Sequence, residues 1–221
     1  MIRLEDTYRH KGQRRELVNL LRKKGITDEG VLNVINAIPR HFFFESALHS
    51  HAYEDKAFPI GEGQTISQPY TVAFQTELLA VKQGDKILEI GTGSGYQAAV
   101  LFLLGAEVHS IEYQPKLYER TKKFLPRLGI SINFYQGDGS KGLPAQAPFD
   151  KIIVTAGAPV VPHSLLEQLN VNGILVIPVG DRNSQKMLKL TKVSPTEIMQ
   201  EEYDNFAFVP LLGDEGWKSS K

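Results

Sequence analysis

The sequence predicts an α/β protein whose core is a doubly wound, mostly parallel sheet with helices on both faces. From residue 82, short apolar segments typical of strands alternate with segments of helical pattern, as in a parallel sheet covered on both sides. Before this region the pattern is helical, which predicts an N-terminal helical extension. After it, two strand segments follow each other with little helix between them, which predicts an antiparallel C-terminal edge.

The first part of the chain is expected to be mainly helical. Residues 1–45 have a helical pattern, in which Gly25 is placed to end one helix and Pro39 to end the next. Residues 46–68 show no regular pattern, and a segment of this length without secondary structure is usually functional or disordered. Its varied composition favours a functional segment, and a helix is expected after it over residues 69–81.

The core sheet is expected between residues 82 and 193. Its strand segments are short and rich in isoleucine, leucine and valine, as strands buried on both faces are. Pro115 stands in the first turn of a helix, where a missing amide hydrogen costs nothing. The expected strands cover residues 86–90, 107–112, 130–136, 150–155 and 174–179, the helices 96–104, 115–128 and 162–169, and the edge strands 186–192 and 198–209.

The composition of the 221 residues excludes several classes of function. Lys+Arg and Asp+Glu are both 25, so the chain lacks the basic surplus that a general electrostatic grip on nucleic acid requires. It contains no cysteine, which excludes disulfides, thiolate metal sites and cysteine nucleophiles. No apolar signal segment is visible, and the longest apolar run, residues 98–104, is far shorter than the ~20 residues of a spanning helix. We therefore expect a soluble cytoplasmic protein that binds neither nucleic acid nor a membrane.

A glycine-rich turn follows the first core strand and reads Glu89-Ile-Gly-Thr-Gly-Ser-Gly95. Its glycines let the backbone turn sharply and approach a ligand, although a tight strand–helix turn without a ligand has the same composition. A ligand would lie at the carboxyl edge of the sheet. The dinucleotide fingerprint has a glycine where this chain has Tyr96, which disfavours a nicotinamide enzyme. The pattern instead resembles the first motif of S-adenosylmethionine-dependent methyltransferases, whose loop holds the amino-acid part of the cofactor.

Two carboxylates stand where the same superfamily binds the rest of its cofactor. Glu112 ends the second core strand, where a carboxylate can accept both ribose hydroxyls or can be a plain surface residue. Asp138 follows the third strand in a Gln-Gly-Asp-Gly segment, where it can accept the adenine amino group or form an ordinary Asp-Gly turn. Three such features at the ends of three successive strands indicate one common binding site.

Three further segments resemble the signatures of protein-L-isoaspartate O-methyltransferases. They are Gly-Gln-Thr-Ile-Ser-Gln-Pro over residues 63–69, Phe-Asp-Lys-Ile-Ile-Val-Thr-Ala over 149–156 and Phe-Val-Pro-Leu over 208–211. The resemblance is strongest over residues 58–180 and implies a Rossmann-like methyltransferase fold. It also implies transfer of the methyl group of S-adenosylmethionine to the free α-carboxylate of isoaspartyl residues in damaged proteins and peptides. That step starts their repair through a methyl ester and a succinimide, with S-adenosylhomocysteine as the other product.

The same resemblance assigns the site residues. It places Ser67 beside the reacting centre as a hydroxyl donor that positions the carboxylate, whereas the local sequence alone fits a cap or turn before Pro69. An α-carboxylate with a pKa of ~3.3–3.7 is already ionised, so no general base is needed. No metal is expected, because His49 and His51 have no carboxylate cluster at a useful spacing. The implied cofactor contacts are Thr65, Ile66, Gln68, Glu89, Gly91, Gly93, Gly95, Glu112, Asp138 and Gly139. The implied substrate contacts are Gln64, Thr65, Ser67, Val209, Pro210 and Leu211. Exposed backbone of residues 64–67 and 209–211 is expected to pair with the peptide.

Two other functions stay open besides the nicotinamide enzyme. A nucleic-acid amino-methyltransferase would resemble its relatives in Asn/Asp-Pro-Pro-Tyr/Phe after the fourth strand, where this chain reads Thr155-Ala-Gly-Ala-Pro159, and a cytosine-C5 enzyme would need a cysteine. The intact glycine loop and Ser67 argue against a protein that binds the cofactor without catalysis.

We expect a monomer with one domain over residues 1–221. It is expected to consist of N-terminal helices and active-site loop over 1–81, a cofactor-binding core over 82–193, and a C-terminal strand and tail over 194–221.

Overall fold

The computed structural model describes residues 5–218, which begin with helices and a strand hairpin ahead of the main sheet. Two of the helices start at side-chain caps, because the Thr7 hydroxyl accepts the amide of His10 and the Asp28 carboxylate accepts the amide of Val31. The elements are α1 (Tyr8–Lys23), α2 (Glu29–Ala37), 3₁₀ turns at Arg40–Phe43 and Ser46–His51, β1 (Phe58–Gly61), β2 (Gln64–Ile66) and α3 (Pro69–Leu79).

The main sheet has seven strands with helices between the parallel ones. The elements are β3 (Lys86–Ile90), α4 (Tyr96–Leu103), β4 (Glu107–Glu112), α5 (Pro115–Phe124), β5 (Asn133–Gln136), β6 (Phe149–Val154), α6 (His163–Glu167), β7 (Leu169–Gly180), β8 (Gln185–Ser194) and β9 (Glu197–Phe206). The strand order is β5-β4-β3-β6-β7-β8-β9. Pairs from β5 to β7 are parallel, whereas β8 and β9 pair antiparallel at one edge. The predicted fold class is confirmed.

Residues 46–68 are more regular than the sequence predicts. They contain a 3₁₀ turn and the β1–β2 hairpin, in which Phe58 pairs with Ile66. The turn between the strands has three successive residues of positive φ, from Gly61 to Gly63, and two of them are glycines that adopt this conformation without strain. Strands of four and three residues are too short for their alternation to stand out in the sequence. The predicted functional segment therefore has a defined framework.

Several predicted boundaries in the core are wrong by a few residues. The fifth core strand, β7, starts at Leu169 instead of 174, because a register shift lets Leu169 pair with Phe149 ahead of the regular ladder. The helix predicted over 115–128 divides into α5 and a 3₁₀ turn that contains Pro126. The last strand ends at Phe206, so residues 207–209 lie beyond it.

Apolar side chains cover both faces of the sheet. Successive side chains of a strand point to opposite faces, so Ile87 belongs to one cluster and Leu88 and Ile90 belong to the other. The first cluster also contains Leu17 of α1 and Leu32 of α2, so the helical extension packs against the same core as the sheet. None of the described helices has both the length and the apolar composition that a bilayer crossing requires.

Candidate active site

A cleft lies at the carboxyl ends of β3, β4 and β6, where the glycine loop joins β3 to α4. Gly91, Gly93 and Gly95 all have positive φ, at 100°, 53° and 82°. A Cβ on Gly91 would lie 2.6 Å from the hydroxyl oxygen of Thr155, which itself donates a hydrogen bond to the Gly91 carbonyl at 2.7 Å. The loop therefore keeps its shape only with glycine at this position.

Glu112 lies on the wall of the cleft and is bonded to the glycine loop. Its Oε2 accepts the amide of Gly93 at 2.7 Å, and its Oε1 accepts the amide of Gln114 at 2.8 Å. The side chain is only 4 % exposed, and each carboxylate oxygen retains a second acceptor site. The residue thus fixes the loop and can still accept hydroxyl groups of a ligand.

Glu89 lies behind the loop and not on the wall of the cleft. It is 0 % exposed and accepts a hydrogen bond from the hydroxyl of Ser110, its partner on the neighbouring strand β4. That hydroxyl is also bonded to Thr92 of the loop at 2.5 Å. Burial raises the pKa of Glu89 to about 8, and the negative charge of Glu112 adds to this effect while the Ser110 hydrogen bond opposes it. The structure therefore places Glu89 under the loop as a buried support, which differs from the expected direct contact with a cofactor.

Asp138 is likewise held away from the cleft by its hydrogen bonds. Its Oδ1 accepts the amide of Ser140 at 2.9 Å and caps a 3₁₀ turn, and its Oδ2 accepts the amide of Asp214 at 2.8 Å. The next residue, Gly139, does line the cleft. The carboxyl-terminal segment thus covers the carboxylate expected to bind adenine, and that contact stays a prediction.

Ser67 lies where the cleft meets a second cavity, called the groove below. The groove has a volume of about 600 Å³ and runs between the β1–β2 hairpin and the carboxyl end of β9. It is lined by Lys24, Ala57, Thr65, Ser67, Gln68, Tyr70, Thr71, Thr155, Asn183, Ser184 and residues 204–209. Four residues line both cavities: Thr65, Ser67, Thr155 and Val209. A small molecule in the cleft and a chain in the groove would therefore meet at these four residues.

The structure brings most of the expected site residues together. The cleft wall contains Gln64, Thr65, Ser67, Gly91, Gly93, Glu112, Gly139, Val209, Pro210 and Leu211, and the groove contains Gln68. Besides Glu89 and Asp138, two others lie off both walls. Ile66 is 2 % exposed in the apolar core, and Gly95 begins α4, where a Cβ would lie 2.7 Å from the Thr121 methyl.

The backbone of residues 209–211 is already bonded in part within the fold. The carbonyl of Val209 accepts the amide of Gly157 at 2.8 Å, and the amide of Leu211 donates to the Gly157 carbonyl at 2.8 Å. The Leu211 carbonyl accepts the Trp217 amide at 2.7 Å. The fold therefore uses part of this backbone, and the expected pairing of the segment with a peptide stays a prediction. The side chains of the segment line the cleft.

Sequence reasoning missed a second set of cleft residues. They are Val72, Ile90, Thr92, Ser94, Tyr96, Gln97, Ile111, Tyr113, Gln114, Thr155, Ala156 and Leu212. Thr155 could have been found, because it ends the fourth core strand at the same sheet edge as Glu112. Gln97 could not, because it lies in an apolar helix and only the packing shows that its side chain reaches the cleft.

The wall of the cleft fits a polar, neutral or cationic ligand. Gln97 is buried, and its Oε1 has no hydrogen-bond partner within the described residues, so it is available to a donor on a ligand. Glu112 is the one acidic residue on the wall, and no lysine, arginine or histidine of residues 5–218 lies there. These groups suit a cofactor with ribose hydroxyls and an amino group.

A group of metal-binding type lies elsewhere, on the amino-terminal helices. Within residues 5–218, Asp6, His10 and His41 form such a group. Asp6 is already paired with Arg14 at 2.7 Å, and both ring nitrogens of His41 are hydrogen-bonded. None of the three lines the cleft. The group therefore has structural partners and is separate from the candidate active site.

Comparison with known proteins places the chain in one group. A family model described as protein-L-isoaspartate(D-aspartate) O-methyltransferase matches residues 12–216. The protein-L-isoaspartate O-methyltransferase of Cytophaga hutchinsonii is 59 % identical over 216 residues, covering 98 % of both chains. That of Christiangramia forsetii is 59 % identical over 212 residues, covering 96 % of this chain and 99 % of its own.

Two solved structures support the same assignment. A protein-L-isoaspartate O-methyltransferase superimposes with a TM-score of 0.82 at 32 % identity, covering 92 % of this chain and 67 % of its own. A putative enzyme of this name from Plasmodium falciparum, in complex with S-adenosyl-L-homocysteine, superimposes with a TM-score of 0.76 at 25 % identity, covering 94 % and 99 %. The fold, the cleft and nearly the whole sequence agree, so the chain belongs to the protein-L-isoaspartate O-methyltransferase family, which methylates the free carboxyl group of isoaspartyl residues with S-adenosylmethionine.

Proposed function

We propose that the cleft binds S-adenosylmethionine and that the groove binds the isoaspartyl segment of a damaged protein. The observation that carries this proposal is the set of residues common to the two cavities, Thr65, Ser67, Thr155 and Val209. A methyl donor and a peptide carboxylate can react in line only where their binding sites join. We therefore assign the reaction to this junction.

The cofactor is held by main-chain and carboxylate groups of the cleft. The loop from Gly91 to Gly95 approaches the amino-acid part of the cofactor, and Glu112 accepts the ribose hydroxyls while keeping its bonds to the loop. Gln97 has a free acceptor for the amino group, and Gly139 leaves space for the adenine ring. The bound cofactor supplies an electrophilic methyl group on a positively charged sulfur.

Catalysis at this junction depends on alignment and needs no proton transfer. The free α-carboxylate of an isoaspartyl residue, with a pKa near 3.3–3.7, is ionised at neutral pH. Within the described residues, no histidine or lysine lies on the cleft wall to act as a base. The hydroxyl of Ser67 donates a hydrogen bond that orients the carboxylate, and the enclosing residues exclude water. Holding two reactants in line can lower a barrier by ~7–11 kcal/mol.

The peptide runs along the groove between two sources of unpaired backbone. One side is the outer edge of β2, whose single partner strand among residues 5–218 is β1. The other side is the end of β9, which is the edge strand of the main sheet. These edges add to residues 209–211 as surfaces that an extended peptide can pair with. Aspartyl and isoaspartyl residues carry similar charge, so selection depends on where the bound backbone places the carboxylate.

A methyl-transfer assay on paired peptides tests the proposal. We expect methyl ester from the isoaspartyl peptide and at least ~10²-fold less from the aspartyl peptide, because a displacement of ~1 Å can cost that factor. Ser67→Ala is expected to lower kcat by less than the ~10²–10³-fold of a lost oxyanion donor, with the affinity for S-adenosylhomocysteine retained. Ser131→Ala, at an exposed serine that lines neither cavity, is the matched control and should leave kcat unchanged. Equal yields from both peptides would indicate a general carboxyl methyltransferase, and unchanged kcat in Ser67→Ala would remove Ser67 from the reaction.

We further propose that the chain acts as a monomeric single domain in the cytoplasm. The shared apolar cluster of the helical extension and the sheet supports one domain over residues 1–221. Size-exclusion chromatography with light scattering tests the monomer, and cell fractionation tests the location. A stable dimer or a membrane-bound fraction would contradict these assignments.

A further inference from the structure

Arg40 is a completely buried arginine next to the segment that carries Ser67. Its exposure is 0 %, and its guanidinium lies 4.6 Å from the ring centre of Tyr96 and 5.3 Å from that of Phe44. Two of its nitrogens donate to main-chain carbonyls: Nε to Ala52 at 3.0 Å and Nη2 to Ser67 at 2.8 Å. The side chain thus connects the segment after α2 directly to the residue at the junction of cleft and groove.

The charge of Arg40 is not neutralised by a direct ion pair within the described part of the chain. Among residues 5–218 no carboxylate lies within ion-pair distance of Arg40, and Nη1 makes no hydrogen bond. Taking this charge out of water is costly, and the rings of Tyr96 and Phe44 together with the two carbonyl bonds offset part of that cost. The other buried arginine of this region, Arg14, differs because Asp6 neutralises it through two bonds of 2.7 and 2.9 Å. What Arg40 adds is its fork of donors to two carbonyls.

A second group holds the chain immediately after Ser67. The carboxylate of Asp55 accepts the side-chain amide of Gln68 at 3.1 Å and the main-chain amide of Tyr70 at 2.8 Å. Ser67 is thus bonded through its own carbonyl and followed by two residues that are bonded in turn. Both holding groups come from the segment between α2 and β1.

We propose that Arg40 is a positioning residue for methyl transfer, which fixes the main chain of Ser67 so that its hydroxyl meets the substrate carboxylate. The inference rests on the proposed role of Ser67 and adds the group that sets its position. A lysine has one compact ammonium group and cannot reproduce the planar fork to the carbonyls of Ala52 and Ser67. Arg40→Lys therefore keeps a single nitrogen donor and loses the planar fork.

The test is a double-mutant cycle between Arg40→Lys and Ser67→Ala. We expect Arg40→Lys to lower kcat about 10- to 100-fold, because a shift of ~1 Å at the reacting centre can cost 10²-fold. The dissociation constant of S-adenosylhomocysteine is expected to change less than about threefold. In the Ser67→Ala background the hydroxyl that Arg40 positions is already absent, so the effect of Arg40→Lys on kcat falls to about threefold or less. Arg14→Lys, a buried arginine that does not contact the loop, should lower stability in urea unfolding and leave kcat unchanged.

The outcomes separate this inference from the function on which it rests. If Ser67→Ala alone leaves kcat unchanged, the proposed role of Ser67 fails, and the role of Arg40 fails with it. If Ser67→Ala slows the reaction and Arg40→Lys does not, or if the two effects multiply independently, only the positioning role of Arg40 is overturned. Arg40→Gln is the second variant, and failure of both variants to fold assigns Arg40 to folding and also overturns the proposal.

Discussion

Replacing Glu112 by glutamine should weaken cofactor binding almost as much as replacing it by alanine. Both carboxylate oxygens already accept backbone amides, from Gly93 at 2.7 Å and from Gln114 at 2.8 Å. A glutamine offers one acceptor oxygen, so its NH₂ group must face one of these two amides. Loss of a hydrogen bond to a charged group costs about 1.5–3 kcal/mol, which raises a dissociation constant about 10- to 150-fold. We expect this change for S-adenosylhomocysteine in both variants.

Isothermal titration calorimetry measures the affinity, and urea unfolding shows whether each variant is folded. Glu107→Gln is the matched control, because Glu107 lies at the opposite end of the same strand and is exposed. It should bind S-adenosylhomocysteine like the unchanged protein. An affinity of Glu112→Gln within twofold of the unchanged protein would refute the reasoning, since the carboxylate would then contribute neither loop shape nor ligand contact.

Two further predictions concern the loop and the carboxyl group beneath it. Gly91→Ala should abolish cofactor binding and lower the free energy of unfolding by more than ~1–2 kcal/mol, because its Cβ would lie 2.6 Å from the Thr155 hydroxyl. Gly93→Ala should lower the free energy of unfolding less, since its Cβ would meet only a methyl of Ile60 at 3.4 Å. Equal losses of the two variants in urea unfolding would contradict this reasoning. Burial holds the pKa of Glu89 at about 8, above that of a glutamate in the unfolded chain, so folding takes up protons between these two values. The free energy of unfolding should therefore decrease as pH rises from about 4.5 to 8, by at most ~1.4 kcal/mol per pH unit. Glu89→Gln should remove this decrease in urea unfolding at pH 5, 6.5 and 8, and parallel pH profiles would show that another group causes it.

The sequence predicts the glycine loop and Glu112 well because both are local features at the end of a strand. The same reasoning misplaces Glu89, which stands two residues before Gly91. In a strand buried on both faces, Glu89 points to the same side as Ile87, and its neighbour across the ladder is Ser110. The alternation of side chains therefore directs Glu89 into the core beneath the loop. A sequence motif alone does not show the direction in which a side chain points.

Long-range contacts explain the other differences. Asp138 accepts the amide of Asp214, and residues 209–211 pair with Gly157, although these partners are separated by about fifty residues or more in the chain. Local patterns identify an Asp-Gly turn and an apolar segment, but they do not show that the carboxyl-terminal segment docks on both. Most members of the predicted site therefore line the cleft or the groove, whereas the hydrogen bonds of Glu89 and Asp138 differ from those expected.

The helical extension and the segment after it support the site through contacts that the sequence pattern does not predict. Its helices pack on the core through apolar side chains such as Leu17 and Leu32, which their helical pattern explains. The segment that follows them carries Arg40 and Asp55, which bond the Ser67 carbonyl and the Tyr70 amide. A reaction that depends on alignment alone requires a loop that does not move relative to the cofactor. In the function that we propose, the sheet and its glycine loop hold the methyl donor, and the segment after the helical extension holds the residue that aligns the acceptor.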